Sequence, residues 1–300
     1  MPELPEVETV VRGLRPRLRG RRIERLEVRQ PLVVRGSLSA FRRALRRARI
    51  DAVRRKGKYI LLELRSGGNP AQPVFWVVHL GMTGQLYVCR PEAPRLKHTH
   101  VVARLSSGEQ LRFRDPRRFG KMLLLRADQL ADYFAPLGPE PLRISFAAFA
   151  RLFAGRKAPV KNLLLNQNRL RGLGNIYANE VLFVAGIHPA RAAGSLGRDE
   201  VDGLYRAIRG VLRRAIAEQG TTVADYRTAA GEPGDYQNFL RVYDREDQPC
   251  PRCGSTIERL VLAGRSTHFC PQCQPAQEEN QRTGQRAARR AAAALGAAGD

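Results

Sequence analysis

The sequence has few of the features that mark membrane, secreted or disulfide-stabilised proteins. No apolar run among its 300 residues is long enough to cross a bilayer, and the N-terminus is too acidic for a signal peptide. Cysteine is scarce: there are five, and four of them cluster near the C-terminus. We therefore expect a cytoplasmic protein whose clustered cysteines favour a metal site over disulfides, with Cys89 a small buried hydrophobic residue.

Acidic residues are also scarce. The chain has 28 Asp+Glu against 52 Lys+Arg, a formal net charge of +24. Such a field attracts a polyanion, and nucleic acid is the first candidate, although a basic proteome would produce part of the same excess. The length suits two domains, and the 43% hydrophobic fraction is sufficient for real cores.

The first nine residues, Met-Pro-Glu-Leu-Pro-Glu-Val-Glu-Thr, have the chemistry of a covalent catalyst. We expect removal of Met1 to leave Pro2 as a secondary amine, and an α-amino group has a pKa of about 7.7–8.0. Attack of this amine on a sugar carbon gives an iminium ion that eases loss of a neighbouring leaving group. The adjacent Glu3 can transfer protons, and Pro5 fits the first turn of a helix that would hold the amine. A frayed chain end is the ordinary alternative.

Periodicity predicts an α+β protein. Residues 5–19 place apolar side chains on one helical face, and a run of short strands follows, one of them over residues 53–64. This pattern indicates an antiparallel β-sandwich with a leading helix. After a Pro- and Gly-rich stretch the pattern predicts four helices, at residues 146–153, 160–166, 176–184 and 199–219, and the last residues lack core-forming types. The predicted organisation is a β-sandwich domain at 1–134, a linker at 135–141, a helical domain at 142–245, a four-cysteine module at 246–274 and a disordered basic tail at 275–300.

Two Cys-x2-Cys pairs near the C-terminus form the strongest motif. They comprise Cys250, Cys253, Cys270 and Cys273, and this spacing is typical of a closed tetrahedral zinc site with a structural role. His268 is a competing ligand, although four thiolates already suffice. The segment between the pairs can form a hairpin with Arg265 near its tip, where an arginine suits a phosphate clamp.

A second motif is Arg-Gly-Leu-Gly-Asn-Ile-Tyr at residues 171–177. Glycines just before a helix let its N-terminal amides approach a phosphate, and Asn175 adds a side-chain donor. A tight interhelical turn explains the glycines equally well. Beside Lys161 and Arg171, the motif becomes a candidate grip on a DNA backbone.

A third set of candidates lies in the β domain, at residues 55–59, 79–82, 97–100 and 115–120. Enzymes that act on a base in duplex DNA extrude the nucleotide, and another group must then fill the void. Met82, Arg117 and Phe119 have the apolar and cationic side chains that could be inserted into this void, and they are named the wedge here. Core packing of Met82 and Phe119, with an exposed turn at Arg117, is the simpler alternative from residue types alone.

Together these motifs resemble the bacterial formamidopyrimidine-DNA glycosylases from Pro2 to about Cys273. The resemblance implies an N-terminal β-sandwich, a helix–two-turn–helix domain and a zinc-finger hairpin holding one structural zinc ion. The site residues that it implies are Pro2, Glu3, Lys58 and Arg265 for catalysis, His98, Arg117, Lys161, Asn175 and Arg265 for DNA binding, and Met82, Arg117 and Phe119 for filling the void. It also implies that Glu6 lies near the catalytic centre and that the loop from Gly220 to Tyr236 covers the extruded base. Lys56, two residues before Lys58, is a second candidate for the role of Lys58.

The resemblance further implies a monomeric base-excision-repair enzyme acting on duplex DNA. It would release oxidised purines such as 8-oxoguanine and formamidopyrimidines, and then cleave the abasic site by successive β- and δ-elimination. One alternative is an endonuclease VIII-type glycosylase for oxidised pyrimidines. A second is a non-catalytic zinc-ribbon protein that binds DNA, which would tolerate a blocked N-terminus.

Overall fold

The computed structural model describes residues 1–65, 73–223 and 226–276. Its chain divides into two compact units. The first contains Met1–Glu140 and Leu212–Phe239, and the second contains Pro141–Val211 and the described residues from Leu240 onward. The division after Glu140 falls inside the predicted linker. Residues 212–239, which the sequence assigned to the helical domain, belong instead to the first unit, and hydrogen bonds to helix α1 described below explain why.

The first unit is a β-sandwich with three helices. Its helices are α1 (Leu4–Leu18), α2 (Leu38–Leu45) and α3 (Ala127–Phe134), and its strands are β1 (Ile23–Val28), β2 (Val34–Arg35), β3 (Arg49–Lys56), β4 (Tyr59–Arg65), β5 (Val74–His79), β6 (Gln85–Cys89), β7 (Thr99–Leu105), β8 (Gln110–Arg114) and β9 (Lys121–Arg126). One sheet has the order β1-β7-β8-β6 and the other β2-β9-β5-β4-β3. The predicted antiparallel sandwich is confirmed, except that the two-residue strand β2 pairs with β9 in parallel.

Helix α1 packs against the sandwich core along the face predicted from periodicity. Val7, Val10, Leu14 and Leu18 are fully buried in one cluster with residues of both sheets. The same cluster contains Trp76 of β5, which meets a helix α2 ring edge-on. Because α1 is fixed along its length by this apolar face, its N-terminus is a rigid platform for the residues that precede it.

Two expectations for this unit were wrong. The sequence predicted one strand over residues 53–64, but the chain turns at Gly57 and Lys58 to form the β3–β4 hairpin. The break is signalled by Gly57, whose φ is 58°, and by the basic run of Arg54, Arg55 and Lys56 before it. Helix α3, of 8 residues, was not predicted. Cys89 is partly exposed rather than buried.

The second unit is helical and ends in a hairpin. It contains α4 (Phe146–Arg151), α5 (Val160–Leu165), α6 (Asn175–Ala185), most of α7 (Arg198–Ala217), β10 (Glu258–Leu262) and β11 (Arg265–Phe269). The four predicted helices are confirmed, with ends that differ by one or two residues. Glu180 of α6 is fully buried and accepts three backbone N–H groups from residues 241–243, which fixes the segment before the cysteine module. No helix of the described residues is long and apolar enough to cross a membrane.

Candidate active site

The N-terminus is held rigidly at the start of α1. Pro2 is buried, Glu3 is the residue that caps the helix, and both Glu3 and Glu6 are 2% exposed. One carboxylate oxygen of Glu6 accepts the Glu3 N–H at 2.7 Å, which is one half of a capping box. Met1 is 46% exposed, so the residue to be removed is accessible while Pro2 and Glu3 are not.

The other carboxylate oxygen of Glu6 binds the loop that the resemblance singles out. It accepts the Thr221 N–H at 2.8 Å, and the Tyr226 hydroxyl donates to Gln219 O at 3.0 Å. Burial raises the pKa of Tyr226, so its hydroxyl remains a donor. The loop closes through Tyr236 N–H to Gly220 O at 3.0 Å. Its ends are therefore anchored to the helix that carries the N-terminus, and residues 224 and 225 lie outside the described part.

Lys58 lies on the two-residue β3–β4 turn and is 6% exposed. A buried network fixes this turn. Glu140 accepts the Gly57 N–H at 2.7 Å and the Arg55 guanidinium at 2.9 Å. Arg55 also donates to Glu8 of α1 at 2.9 Å, and its guanidinium, together with that of a neighbouring arginine, holds the pKa of Glu8 below its usual value against the opposing effect of burial. The turn and helix α1 are thus tied to one another through Arg55.

Lys56 does not share this position. Its ammonium lies 4.6 Å from the centre of the Phe134 ring, a cation–π contact with helix α3. Lys58 faces His79 instead, whose pKa is lowered to about 4 by burial and by the nearby positive charges of Lys58 and Lys121. His79 is therefore neutral at neutral pH, and its Nδ1 accepts the Gly81 N–H at 3.1 Å.

Met82 and Phe119 are two of the exposed large apolar residues, at 41% and 49%. The Arg117 guanidinium lies 4.9 Å from the centre of the Phe119 ring. All of these come from two adjacent loops, so the structure does bring the three predicted wedge residues together. Core packing, the simpler alternative for Met82 and Phe119, is wrong.

Buried Asp115 shapes the loops that present the wedge. It accepts the Thr83 hydroxyl at 2.5 Å and the Gly120 N–H at 2.7 Å. Thr83 in turn accepts the Arg117 N–H at 3.2 Å. A Cβ at Gly81 would lie 2.5 Å from the backbone of the facing loop, so no larger residue fits there. An open cavity of about 570 Å³ adjoins the wedge, and it is lined by Met1, Arg35, Tyr59, His79, Gly81, Met82, Phe119, Lys121, Leu123 and Tyr133.

His98 lies near these loops in a strained conformation. Its φ is 67°, and its carbonyl accepts the Asp115 N–H at 3.1 Å. The ring meets that of His100 edge-on at 6.3 Å between centres. His100 is buried and its Nε2 is 2.8 Å from Asp115 O, so Asp115 organises the His98 segment as well as the wedge.

The predicted phosphate contacts of the second unit meet at Ser266, the residue after Arg265. Asn175, the first residue of α6, donates its side-chain amide to Ser266 O at 3.0 Å. Lys161 is fully buried, and its ammonium donates to Ser266 O at 2.9 Å and Thr267 Oγ1 at 2.8 Å. Arg265 is exposed beside the turn at Ala263 and Gly264. Because its side chain is buried, Lys161 is not placed for the expected direct contact with DNA. Its hydrogen bonds hold the hairpin instead.

The four cysteines come together as the spacing predicted. Their sulfur atoms all lie within 4.8 Å of one another, with Cys250 and Cys273 at 3.9 Å and Cys253 and Cys270 at 3.5 Å. Four thiolates about 2.3 Å from a tetrahedral zinc ion lie about 3.8 Å apart, so the donor set and its geometry fit zinc. His268 is outside this group and packs against the Tyr243 ring. The module packs on α6 through Phe183.

Comparison with known proteins agrees with these geometries. Residues 1–122 match the formamidopyrimidine-DNA glycosylase N-terminal domain, residues 137–227 the formamidopyrimidine-DNA glycosylase H2TH domain, and residues 247–276 the zinc finger found in FPG and IleRS. The formamidopyrimidine-DNA glycosylase of Symbiobacterium thermophilum is 48% identical over 283 residues, covering 93% of this chain and 90% of the relative. That of Chloroflexus aurantiacus is 44% identical over 277 residues, covering 91% and 98%.

The chain belongs to the formamidopyrimidine-DNA glycosylase family. Solved structures of Lactococcus lactis Fpg are similar along its length. The complex with abasic-site DNA has a TM-score of 0.84 and 34% identity, covering 91% of this chain and 100% of the other. The complex of the wild-type enzyme with N7-benzyl-Fapy-dG DNA has a TM-score of 0.84 and 35% identity, covering 92% and 100%. The family and fold implied by the motifs are thus confirmed.

Sequence patterns did not reveal the residues that support the family's site. Glu140 and Asp115 are buried, Arg55 is largely so, and the partners of all three are distant in sequence or in irregular loops. Gln167 is another, because it accepts the Gly172 N–H at 2.9 Å and donates to Leu173 O at 2.8 Å, which shapes the glycine turn before α6. The sequence offered one signal for these supporting residues, which is that each lies in or near a segment already identified as a candidate motif or linker.

Removing one zinc ligand is expected to weaken DNA binding without unfolding the first unit. We expect one zinc ion per chain, and Cys253→Ser should release it, since Cys253 is exposed and contributes to the metal site rather than to packing. The resemblance assigns Arg265 a contact with DNA. Loss of one such charged hydrogen bond, worth about 1.5–3 kcal/mol, corresponds to a loss of about tenfold to a hundredfold in affinity. Metal content and affinity for lesion DNA are the measurements.

Cys89→Ser is the matched control, because Cys89 lies in β6 of the first unit and is not one of the four clustered cysteines. It should keep both the zinc ion and the affinity. A metal-free Cys253→Ser protein that binds lesion DNA as tightly as the native chain would contradict a structural role for the zinc ion in binding.

Proposed function

We propose that this chain is a bifunctional DNA glycosylase and lyase that removes oxidised purines from duplex DNA. The observation that carries the proposal is the N-terminus: Pro2 and Glu3 are buried at the start of a rigid helix, and Glu6 joins them to the Thr221 loop. A buried, anchored chain end is the opposite of the frayed end that most Met-Pro starts would give. Membership of the glycosylase family supports the same conclusion.

Once Met1 is removed, the Pro2 nitrogen attacks C1′ of the damaged nucleotide and the bond from C1′ to the base breaks. The base leaves with one proton, and O4′ takes up a second as the C1′–O4′ bond breaks and the sugar ring opens. One of these protons comes from the Pro2 amine and the other from solvent, and Glu3 is placed to transfer them. The open-chain sugar remains bonded to Pro2 as an iminium ion. The cation acidifies the C2′ protons, so loss of one of them expels the 3′ phosphate. A second elimination expels the 5′ phosphate, and hydrolysis of the iminium frees Pro2.

Other residues bind and position the substrate. Lys58, held by the Glu140 network, contacts the lesion and its phosphate. Met82, Arg117 and Phe119 fill the void left by the extruded nucleotide, and the Gly220–Tyr236 loop covers the base. His98, Asn175 and Arg265 contact the DNA backbone, with Arg265 beside the phosphates of the reacting nucleotide. Lys161 contributes by holding the hairpin that carries Arg265 rather than by touching DNA.

The zinc site supports these contacts without entering the chemistry. Its four thiolates would complete the coordination of the ion and leave no open position for water or substrate. The ion would stiffen the hairpin on which Arg265 is presented. We further propose that the enzyme acts as a monomer in the cytoplasm, where its DNA is found.

One observation favours an alternative to purine specificity. A similar solved structure, of wild-type L. lactis Fpg, is a complex with DNA that contains an oxidised pyrimidine. An oxidised-pyrimidine activity is therefore the second candidate. The wedge favours purines because it combines Met82, Arg117 and Phe119, the set that the resemblance associates with the purine-specific branch. The non-catalytic zinc-ribbon alternative has no use for a buried Pro2 and Glu3.

Borohydride trapping on matched duplexes tests the proposal. Reduction of the iminium should join the chain covalently to duplexes containing 8-oxoguanine, formamidopyrimidine or an abasic site. Single-turnover rates on the same duplexes rank the purine lesions against an oxidised pyrimidine. A faster rate on the pyrimidine would reverse the order of the two candidates, and failure to trap on any of the substrates would support the non-catalytic alternative.

A further inference from the structure

Six exposed arginines lie together at the end of the first unit that is remote from the N-terminus. They are Arg19, Arg21, Arg22, Arg43, Arg46 and Arg47, here named the arginine patch. Arg19 and Arg46 are the C-terminal caps of α1 and α2. Backbone hydrogen bonds join the two segments, with Arg47 N–H to Ile23 O at 2.8 Å and Gly20 N–H to Ile50 O at 2.7 Å. The patch is therefore one surface rather than two basic stretches of sequence.

The charge of the patch is not neutralised within the unit. Across the described ranges, none of the six forms an ion pair, and the nearby acidic side chains Glu24 and Asp51 are paired with other arginines. Two helix C-termini end here, but each carries only about half a negative charge. The two helix ends together supply about one negative charge, against six guanidinium groups. Favourable interaction with the helix dipoles therefore does not account for the patch.

The patch is far from the catalytic end. Along α1, 16 residues separate Glu3 from Arg19, which is about 24 Å at about 1.5 Å per residue. Along β3, seven residues separate Arg49, beside the patch, from Lys56 at the Lys58 turn, which is about 23 Å at about 3.3 Å per residue. Two independent elements thus place the patch at the opposite end from Pro2 and Lys58.

We propose that the arginine patch binds the phosphate backbone of a second duplex segment while the catalytic end holds the first. Guanidinium groups suit phosphate because they donate bidentate, charge-assisted hydrogen bonds. An acidic protein is the less suitable partner. Protein interfaces gain most from apolar and aromatic anchors, and none of the exposed large apolar residues in the described ranges lies in the segments 19–22 and 43–47 that carry the patch.

A second backbone site would let the enzyme pass directly from one duplex to another. The chain would engage a new segment through the patch before releasing the old one, so departure from a duplex would accelerate with the concentration of competing DNA. The binding is electrostatic and carries no base recognition, so it would fall steeply with salt. With six contacts the salt slope for the second duplex is about −5, at about −0.9 per contact.

The test joins two short duplexes through one full-length chain. A donor-labelled duplex carrying an uncleavable abasic analogue fills the catalytic end, and an acceptor-labelled undamaged duplex reports a second site through energy transfer. The patch variant is Arg21→Gln, Arg22→Gln, Arg43→Gln and Arg46→Gln. The charge-matched control changes four exposed arginines elsewhere in the described ranges that likewise form no ion pair: Arg90→Gln, Arg143→Gln, Arg151→Gln and Arg213→Gln.

The native chain and the control should bridge the duplexes at low salt, and the patch variant should not. Two remaining contacts would reduce the variant's salt slope to about −2. Single-turnover excision from a short lesion duplex should stay within about twofold of native, which separates this proposal from the proposed catalytic function. Bridging that survives in the patch variant, as it would if the basic tail were responsible, overturns the proposal.

Three other results overturn it as well. Equal loss of bridging in the control would mean that net charge alone matters. Loss of excision in the patch variant would place these arginines in the main binding surface. Patch-dependent binding of polyglutamate by a native chain that does not bridge duplexes would identify an acidic protein as the partner.

Discussion

A chain whose N-terminus is blocked by an uncleaved extension is expected to lose all base release and all borohydride trapping. With Met1 or any other residue before it, the Pro2 nitrogen is part of an amide and has no lone pair available to attack C1′. The rate should fall by about 10³-fold or more, which is the scale for loss of a nucleophile. Binding to an uncleavable abasic analogue should persist, because Lys58, the wedge and Arg265 are unchanged.

The control is the same extension with a protease site placed so that cleavage leaves Pro2 as the first residue. Cleavage should restore both activities in one preparation, which rules out misfolding as the cause. Pro2→Gly distinguishes the need for an amine from the need for a secondary amine. Its primary amine is still a nucleophile, but it gives an imine that must be protonated to become cationic. It should trap more weakly than native and not at all when extended. Full activity from the blocked chain would require a different nucleophile.

The sequence predicted the chemistry-bearing residues better than the residues that hold them. Pro2, the wedge and the four cysteines belong to local strings whose residue types suggest a role, and periodicity identified the buried face of α1. The Glu6 link to Thr221 joins residues 215 positions apart, and the Arg55–Glu140 pair joins residues 85 apart. Such partners become visible only when the fold places them together.

The two departures in local structure have different origins. At the β3–β4 turn, residues 53–64 were interpreted as one strand although Gly57 and the basic residues before it mark a break in the local pattern. Lys161 was expected on the DNA surface because it accompanies the glycine motif at residues 171–177, yet hydrogen bonds to Ser266 and Thr267 make its burial tolerable. At Lys161, tertiary contacts therefore outweighed the expectation from the motif.

Glu140→Ala is expected to lower both the stability and the excision rate. The substitution removes an acceptor from Arg55, whose side chain is 11% exposed, and from the Gly57 N–H. Removing one partner of a buried ion pair costs about 3–5 kcal/mol, and the lower end applies here because Glu8 still faces Arg55. The freed turn would let Lys58 move, and an error of about 1 Å in a positioned group can lower a rate by about a hundredfold.

Glu140→Gln distinguishes positioning from mere stability. The amide oxygen can still accept the Gly57 N–H, so the turn should remain ordered although the charge that faces Arg55 is gone. We expect it to recover most of the single-turnover rate while staying less stable than native in urea. Glu8→Gln is the matched control, since it removes a carboxylate from the other side of Arg55 and leaves the turn bonded. All rates are measured well below the unfolding transition, on 8-oxoguanine and on abasic duplexes.

Loss of a fixed Lys58 should affect both substrates, because the resemblance assigns Lys58 a contact with a phosphate that each of them contains. A Glu140→Ala chain that is less stable but excises at the native rate would show that the network supports the fold only. A Glu140→Gln chain as slow as Glu140→Ala, at equal folded fraction, would show that the charge facing Arg55 matters more than the hydrogen bond to Gly57. The turn would then have to be held through helix α1 and Glu8 rather than through residue 140.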